Sequence, residues 1–216
     1  MRRGLMVVLW LAAAASPGAA QLKGIEVSAG EAITIAKRNA AFDSTLGTAT
    51  GTMSGFDMAF RAKWFGAEAR LFGGKFAGDS GSTAGGKIAN GDINLYGGPS
   101  TIALLVGYGR RGFTGAFGST SWSFIRVGVR SDLPLGGSGL HAGVAIAIYT
   151  GVSSLGGTGK GTGKEAVTSL TYTPERIPVY VMLGYRREQF TATSGSNDRP
   201  EELSGIVFGG GVRLKP

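Results

Sequence analysis

The feature of this sequence that most constrains its fold is a strict alternation of apolar and polar side chains. The clearest case is the segment GFDMAFRAKW, residues 55–64. One phase of this segment holds Phe56, Met58, Phe60, Ala62 and Trp64, and the other holds Asp57, Ala59, Arg61 and Lys63. A helix cannot bring residues two apart onto one face, so the segment predicts a strand with one apolar and one polar face.

The same period of two residues recurs along the chain and predicts about ten strands, with eight as the alternative. Phe65-Gly66 is predicted as a hairpin turn that pairs Lys63 with Glu68 and sets Arg61 beside Arg70. Glu31 falls on the apolar phase of the first segment, for which a bulge at Gly30 or a shorter strand is the available explanation. The other alternating segments are 24–35, 66–72, 92–96, 101–109, 123–130, 143–149, 166–173, 179–188 and 205–215.

Long and short connections alternate between these segments. Short turns are predicted at 65–66, 97–99, 134–139 and 174–176, and long loops at 37–51, 78–86, 110–119, 152–164 and 194–200. In an up-and-down barrel this order places all long loops at one end and both chain termini at the other.

The first twenty residues have the layout of a secretory signal peptide, with Arg2-Arg3, an apolar run and small residues before Gln21. The predicted organisation is therefore a signal peptide over 1–20 and one barrel domain over 21–216. The chain has no Cys and one His, which excludes disulfides and Cys-rich or His-rich metal sites, and no metal or cofactor is predicted. The formal net charge is +8, but no basic run or basic helix occurs, so no nucleic-acid partner is expected.

The closing segment GIVFGGGVRLKP, with the regular strands and alternating connections, resembles a small bacterial outer-membrane β-barrel. The chain ends in Leu214-Lys215-Pro216 where that family usually ends in Phe or Trp. The resemblance implies an all-β, antiparallel up-and-down transmembrane β-barrel in the outer membrane, with outer-membrane lipid and the barrel-insertion machinery as partners. A soluble secreted barrel or sandwich is the alternative, but Gly and Ala on the charged face and aromatic residues near strand ends favour the membrane arrangement.

Charged residues on the polar phase are predicted to line the lumen. They are interpreted as an ionic network that fills a narrow barrel, and alternatively as the lining of a narrow, anion-preferring solute channel with net charge +3. Arg126 and Arg130 are expected to drive anion preference, because neither has an acid beside it on its own strand. The predicted lining residues are Asp57, Arg61, Lys63, Glu68, Arg70, Asp92, Arg126, Arg130, Arg186, Glu188 and Arg213.

The glycine-rich stretch Gly156 to Glu165 does not fit a phosphate-binding loop, since Thr158 stands where Gly is required and Glu165 where Ser or Thr is required. It is predicted to be an outer loop, and no nucleotide partner is expected. The acids Asp43, Asp79, Asp198, Glu201 and Glu202 are likewise interpreted as solvated loop charges.

Some barrels of this class are proteases resembling omptins or lipid A deacylases, and both kinds of site need a His near the outer rim. His141 is predicted at the opposite end, beside the 134–139 turn. The predicted function is therefore a structural or surface-interaction role, with an unidentified ligand at the outer loops. An outer-membrane hydrolase is the third hypothesis, after the channel.

Overall fold

A computed structural model describes residues 25–42, 45–78, 84–115, 118–137, 139–154, 159–194 and 197–214. The predicted signal peptide lies outside these residues. Among them there is no helix long and apolar enough to cross a membrane. The ten strands are β1 (Glu26–Phe42), β2 (Thr45–Arg61), β3 (Phe65–Gly78), β4 (Gly86–Gly97), β5 (Ala103–Gly115), β6 (Gly118–Pro134), β7 (Leu140–Ser154), β8 (Lys160–Tyr172), β9 (Val179–Ser194) and β10 (Asn197–Leu214).

The strands form one closed antiparallel barrel in chain order, and β1 closes it by pairing with β10. Closure pairs the backbone of every strand on both sides, so no edge is left. The predicted all-β, up-and-down barrel with ten strands rather than eight is thereby confirmed. We call the end with connections 62–64, 98–102, 135–139 and 173–178 the turn end, and the opposite end the loop end.

The apolar phase of the strands faces outward. On β5, Leu104, Val106 and Tyr108 are 67%, 54% and 52% exposed, whereas Ala103 and Leu105 are 1% and 3% exposed. Equivalent side chains on the neighbouring strands, such as Ile93, Ile125 and Ile146, continue this surface around the barrel. We call it the apolar belt; its orientation is the reverse of a soluble barrel, in which apolar side chains fill the interior.

The structure corrects the predicted loop lengths, because most of the predicted loop residues belong to strands. The β1–β2 ladder continues to the pair Phe42–Thr45, and β8 already begins at Lys160. At these strand ends the outward positions hold Thr, Gly and Ser instead of apolar residues. The strands therefore extend past the belt without the apolar–polar alternation by which the sequence predicts a strand. The two ends therefore differ in how far the strands project rather than in the length of their connections.

The predicted register of the β2–β3 hairpin is also wrong. The turn lies at 62–64, closed by a 2.8 Å hydrogen bond from the Ala62 amide to the Phe65 carbonyl, and β3 begins at Phe65. Asp57 is consequently opposite Arg70, which removes the predicted clash between two arginines. The shift is an even number of residues, so the side chains that remain within β2 and β3 stay on their predicted faces.

The predicted bulge at Gly30 is absent, since β1 pairs without interruption with β2 and β10 through that residue. Glu31 instead points outward and is exposed, opposite Phe56 on one side and Gly210 on the other. Register shifts occur on β6–β7 and β7–β8, where Gly151 has φ +58°. That left-handed conformation carries almost no steric cost for glycine.

Candidate functional site in the barrel interior

Arginine and carboxylate side chains form a continuous series of ion pairs through the interior, which we call the charged chain. Each acid joins two arginines that come from different strands, and the chain contains no apolar gap. Its members in order are Arg38, Glu201, Arg111, Glu188, Arg186, Glu165, Arg126, Asp92, Arg70, Glu68 and Arg130.

Glu165 is the centre of this chain. Its carboxylate lies 2.5 Å from Arg126, 3.4 Å from Arg186 and 3.7 Å from Arg70, and it accepts a 2.9 Å hydrogen bond from the Tyr149 hydroxyl. The Glu165 residue is only 3% exposed. A buried carboxylate needs such partners, because burial without them strongly disfavours the charged form.

Toward the loop end, Glu201 bridges Arg38 and Arg111. The Arg38 contact measures 3.0 Å, and Arg111 also donates to Glu188 at 2.6 Å. These residues lie beyond the level of the apolar belt, where Ile206 is the last outward apolar residue of β10. Burial by itself would raise the pKa of the Glu201 carboxyl, but Arg111 and Arg38 hold that pKa below its ordinary value.

Toward the turn end, Glu68 bridges Arg70 at 3.1 Å and Arg130 at 3.3 Å. The Tyr96 hydroxyl donates a 2.6 Å hydrogen bond to the same carboxylate, and its ring lies 4.6 Å from the Arg130 guanidinium. A separate pair joins Arg213 to Glu26 at 3.3 Å. The inner wall is thus bonded across strands that lie far apart around the ring.

The charges of the described interior balance, which corrects the predicted lining charge of +3. Eight arginines face inward, as do eight acids, so the formal net charge is zero. Arg126 in particular contacts Asp92 at 2.9 Å and Glu165 at 2.5 Å. The arginines are 38, 61, 70, 111, 126, 130, 186 and 213, and the acids are 26, 57, 68, 92, 132, 165, 188 and 201.

Among the described side chains every inward basic residue is Arg, whereas Lys occurs only outside or in turns. The planar guanidinium presents five donors and is weakly hydrated, so it can satisfy several buried carboxylates at once. The Lys ammonium is a strongly hydrated point charge and keeps to water. This separation follows from the hydrogen-bonding needs of a narrow interior.

Apolar side chains fill the interior at the loop end, and we call them the apolar plug. Met53 and Phe76 are 2% and 5% exposed on one side, and Phe124 stacks on Tyr149 with ring centroids 4.4 Å apart on the other. Arg38 lies 3.9 Å from the centre of the Phe113 ring, which joins plug and charged chain. The plug residues are Ala36, Ala40, Ala49, Met53, Phe76, Ala84, Ile88, Leu203, Trp122, Phe124, Tyr149, Val152, Phe190 and Ala192.

The turn half of the interior contains a cavity of about 230 Å³. Its floor includes Arg70, Arg126 and Arg186 of the charged chain, and its mouth lies beside the turn residue Gly98. Side chains at the mouth are partly open to solvent, for example Arg130 at 30% and Asp132 at 26%. The interior is therefore filled at one end and hollow at the other.

Ten of the predicted lining residues lie on the inner face of the strands, and one does not. Lys63 lies in the 62–64 turn, exposed, with its Nζ 5.9 Å from the centre of the Trp64 ring. The turn begins one residue after Arg61, so the alternation stops before Lys63. The role of the other ten in selectivity stays a prediction.

Sequence reasoning missed four members of the charged chain. Arg38, Arg111, Glu165 and Glu201 were assigned to loops or loop edges, but all four lie in strands and are buried or half-buried. Counting in steps of two from an inward residue on the same strand would have found them, as from Leu105 to Arg111. Glu202 was interpreted as a solvated loop charge, but it lies on the outer face of β10 and pairs with Arg187 at 3.0 Å. The side chains of Asp43, Asp79 and Asp198 lie outside the described residues.

His141 lies at the turn end, at the start of β7, with Nδ1 3.4 Å from Asp132 Oδ1. An acid beside a histidine can orient it as a general base, but no described contact supplies it with a nucleophile. The described residues contain no group of three or more His, Cys, Asp or Glu placed to hold a metal ion.

A closed, ten-stranded antiparallel barrel with an apolar outer wall and a charged interior has the fold of bacterial outer-membrane β-barrels. Among solved structures, the outer membrane protease OmpT from Escherichia coli matches with a TM-score of 0.50 and 9% identity over 88% of this chain and 96% of that one. Neisserial surface protein A matches with a TM-score of 0.43 and 15% identity over 90% and 98% of the two chains. The translocator domain of the autotransporter NalP from Neisseria meningitidis matches with a TM-score of 0.41 and 12% identity over 93% and 98%.

No family model and no curated protein matches the chain. At these identities the likeness to solved structures shows the fold alone.

Proposed function

We propose that this protein is an outer-membrane barrel with a structural or surface-interaction role that does not conduct solutes. The observation that carries the proposal is the obstructed interior, in which the apolar plug fills the loop half and the charged chain runs from there across the lumen to the wall of the cavity. Open aqueous lumens are typical of barrels with sixteen or more strands, and ten strands leave room mainly for side chains. A neutral interior also offers no excess charge to select anions.

The outer-membrane location is supported by the apolar belt and by the predicted signal peptide over residues 1–20. A belt of exposed Ile, Leu, Val and Phe side chains would be costly in water and is stable against lipid tails. Export and insertion by the barrel-insertion machinery belong to the same proposal, as does an unidentified ligand at the loop end.

Outer-membrane lipid is the proposed partner of the outer wall, and a basic collar supports this. Just beyond the belt toward the loop end, Lys37 follows Ile35, Arg110 follows Tyr108 and Arg187 follows Tyr185 at steps of two residues. The described outward side chains at this end comprise seven bases and one acid, Glu202. The bases of this collar are Lys37, Lys75, Lys87, Arg110, Lys160, Lys164 and Arg187.

Lys75 and Lys87 lie directly opposite each other on neighbouring strands. Like charges in such a cross-strand pair destabilise a sheet unless an anion lies between them. Lipid phosphates at the membrane surface would supply that anion.

Planar-bilayer recording of the refolded mature protein tests the proposal. Folding is first verified by gel electrophoresis, in which a folded barrel migrates at a different rate in the unheated sample than in the boiled one. We expect folded protein without single-channel steps, in bilayers where a sixteen-stranded porin gives them. Steady anion-selective steps would replace the proposal with the channel hypothesis.

The hydrolase hypothesis has one observation in its favour, the Asp132–His141 pair at the cavity mouth. Its test is cleavage of a labelled protein or an acyl ester by the folded barrel, compared with His141→Ala. Cleavage lost in the variant would establish the enzyme.

A further inference from the structure

The cavity in the turn half of the interior is a blind pocket. Its inner end meets the charged chain, and beyond that lies the apolar plug. Because the described interior beyond that end is filled, we expect a molecule to enter from the turn end, where Gly98 lines the pocket. The volume of about 230 Å³ is slightly below the range typical of sites for drug-sized ligands and suits a smaller organic molecule.

Arg61 distinguishes this pocket from the rest of the interior. The other seven inward arginines each have a carboxylate within 4 Å, whereas no ion pair or side-chain hydrogen bond joins the Arg61 guanidinium to another described residue. It lines the pocket and is half-buried. Arg130 repels the Arg61 guanidinium, and the Asp132 and Glu26 carboxylates attract it more weakly.

Two guanidinium groups that repel each other at the rim of a pocket favour an anion between them. A guanidinium binds a carboxylate through two parallel N–H···O bonds, which gives geometric preference as well as energy. Arg130 is already engaged with Glu68 at 3.3 Å, so Arg61 has the free donors.

The remaining walls indicate what is attached to the anionic group. Phe72, Leu105, Met182 and Val207 line the pocket with apolar surface. Acids line it too, including Asp57 and Glu68, and these would repel a dianion more than a monoanion. The pocket is thus matched to a single carboxylate carried on a small apolar body.

We propose that this pocket is a binding site for a small organic monocarboxylate, which enters from the turn end and is held by Arg61. This site is independent of the lipid contacts of the outer wall and of the question of conductance. In a barrel oriented with its loops outward, the ligand would arrive from the periplasm.

Titration calorimetry on the detergent-folded protein, with benzoate as the probe, tests the proposal. Benzamide has the same ring without the charge, and benzylamine carries the opposite charge. We expect benzoate to bind at least tenfold more tightly than either, because a charge-assisted pair contributes more than about 1.4 kcal/mol.

The variant Arg61→Gln should weaken benzoate binding about tenfold or more and leave benzamide binding unchanged. Arg187→Gln, which removes a charge from the outer wall, is the matched control and should change neither. Ala145→Trp would place an indole in the pocket and should abolish binding of all three probes.

Three results would overturn the proposal: no benzoate binding by the folded wild-type protein, equal affinity for benzoate and benzamide, or equal effects of Arg61→Gln and Arg187→Gln. Arg61 is outside the charged chain, so its replacement should leave the heat-dependent gel shift intact. If Arg61→Gln fails to fold, the Ala145→Trp variant provides the test. Benzoate binding by Ala145→Trp that is as tight as in the wild type would show that the ligand binds outside this pocket.

Discussion

At the scale of single residues, the interior depends on carboxylates that serve several arginines at once. Glu165 contacts Arg70, Arg126 and Arg186 from three different strands. Removing one partner of a buried pair leaves an uncompensated charge, whereas removing an exposed partner costs little. The position of a charge, rather than its presence, sets its contribution to stability.

Glu165→Gln should therefore lower the free energy of unfolding by about 3–5 kcal/mol, since it removes the buried countercharge that Arg126 and Arg186 share and leaves each with one carboxylate, Asp92 or Glu188. The measurement is denaturant unfolding in lipid vesicles. Glu202→Gln is the control, because its carboxylate pairs with Arg187 on the outer surface, and its effect should be much smaller. An equal loss of unfolding free energy in the two variants would contradict the burial of Glu165 within the charged chain.

Glu31 presents the opposite situation, a charged residue on the outward face of the barrel among the apolar side chains of the belt. Ile33 above it is 51% exposed, and its lateral neighbours are Phe56 and Gly210. Glu31→Leu should raise the free energy of unfolding in vesicles by about 1–2 kcal/mol, because the apolar side chain suits lipid better.

Glu175→Leu, in the exposed β8–β9 turn, is the control and should not stabilise the barrel. A loss of stability in Glu31→Leu would show that the carboxylate has a partner on the outer wall.

At the scale of elements, β10 and β1 carry the charged chain into the loop end through Glu201 and Arg38. The hydrogen bond between them joins residues 163 positions apart in sequence, at the point where the barrel closes. The pKa of Glu201 lies below its ordinary value of 4.5, so the carboxylate stabilises the folded state above that pH. This contribution is lost as pH falls through the lowered pKa of the folded state.

The stability difference between the wild type and Glu201→Gln should accordingly be largest at pH 7 and shrink below about pH 4.5. Unfolding is measured for both proteins from pH 7 to pH 3. Other acids titrate in both proteins and largely cancel in the difference. A difference that is constant over this range would mean that Glu201 contributes no charge-dependent stability.

At the scale of the whole molecule, the barrel is asymmetric along its axis. The loop half has a filled interior and a basic outer collar, and the turn half has a hollow interior. The two halves therefore offer different surfaces, a basic outer wall at the loop end and an open cavity at the turn end, which are the sites proposed above for lipid headgroups and for a small carboxylate.

Lys75→Gln combined with Lys87→Gln should reduce the stability gained in anionic vesicles over zwitterionic ones. The expected reduction is up to about 1 kcal/mol per lysine, and it should fall with added salt. Vesicles of phosphatidylglycerol and phosphatidylcholine supply the comparison. The double variant Lys63→Gln with Arg176→Gln removes the same charge from the turn end, so an equal loss there would contradict a collar specific to the loop end.

The sequence by itself determined the strands, their antiparallel order and the two sets of side chains that share a face, because an alternation of two residues reports directly on the two sides of a strand. It predicted ten of the inward charges for the same reason. It failed at Lys63 and at the projecting strand ends, where a turn begins or where water on the outside removes the apolar phase.

Only the tertiary structure decided which charges meet. The position of Asp57 opposite Arg70 depends on a hairpin register that differs from the predicted one by an even step, and such a step leaves the alternation unchanged. Glu165 meets Arg70 and Arg186 across the lumen, and Arg38 meets Glu201 at the closing strand pair. Register and closure fix these contacts. They turn a wall that looked basic in sequence into a described interior that is neutral, filled at the loop end and hollow at the turn end, in which Arg61 alone among the described inward arginines has no carboxylate partner.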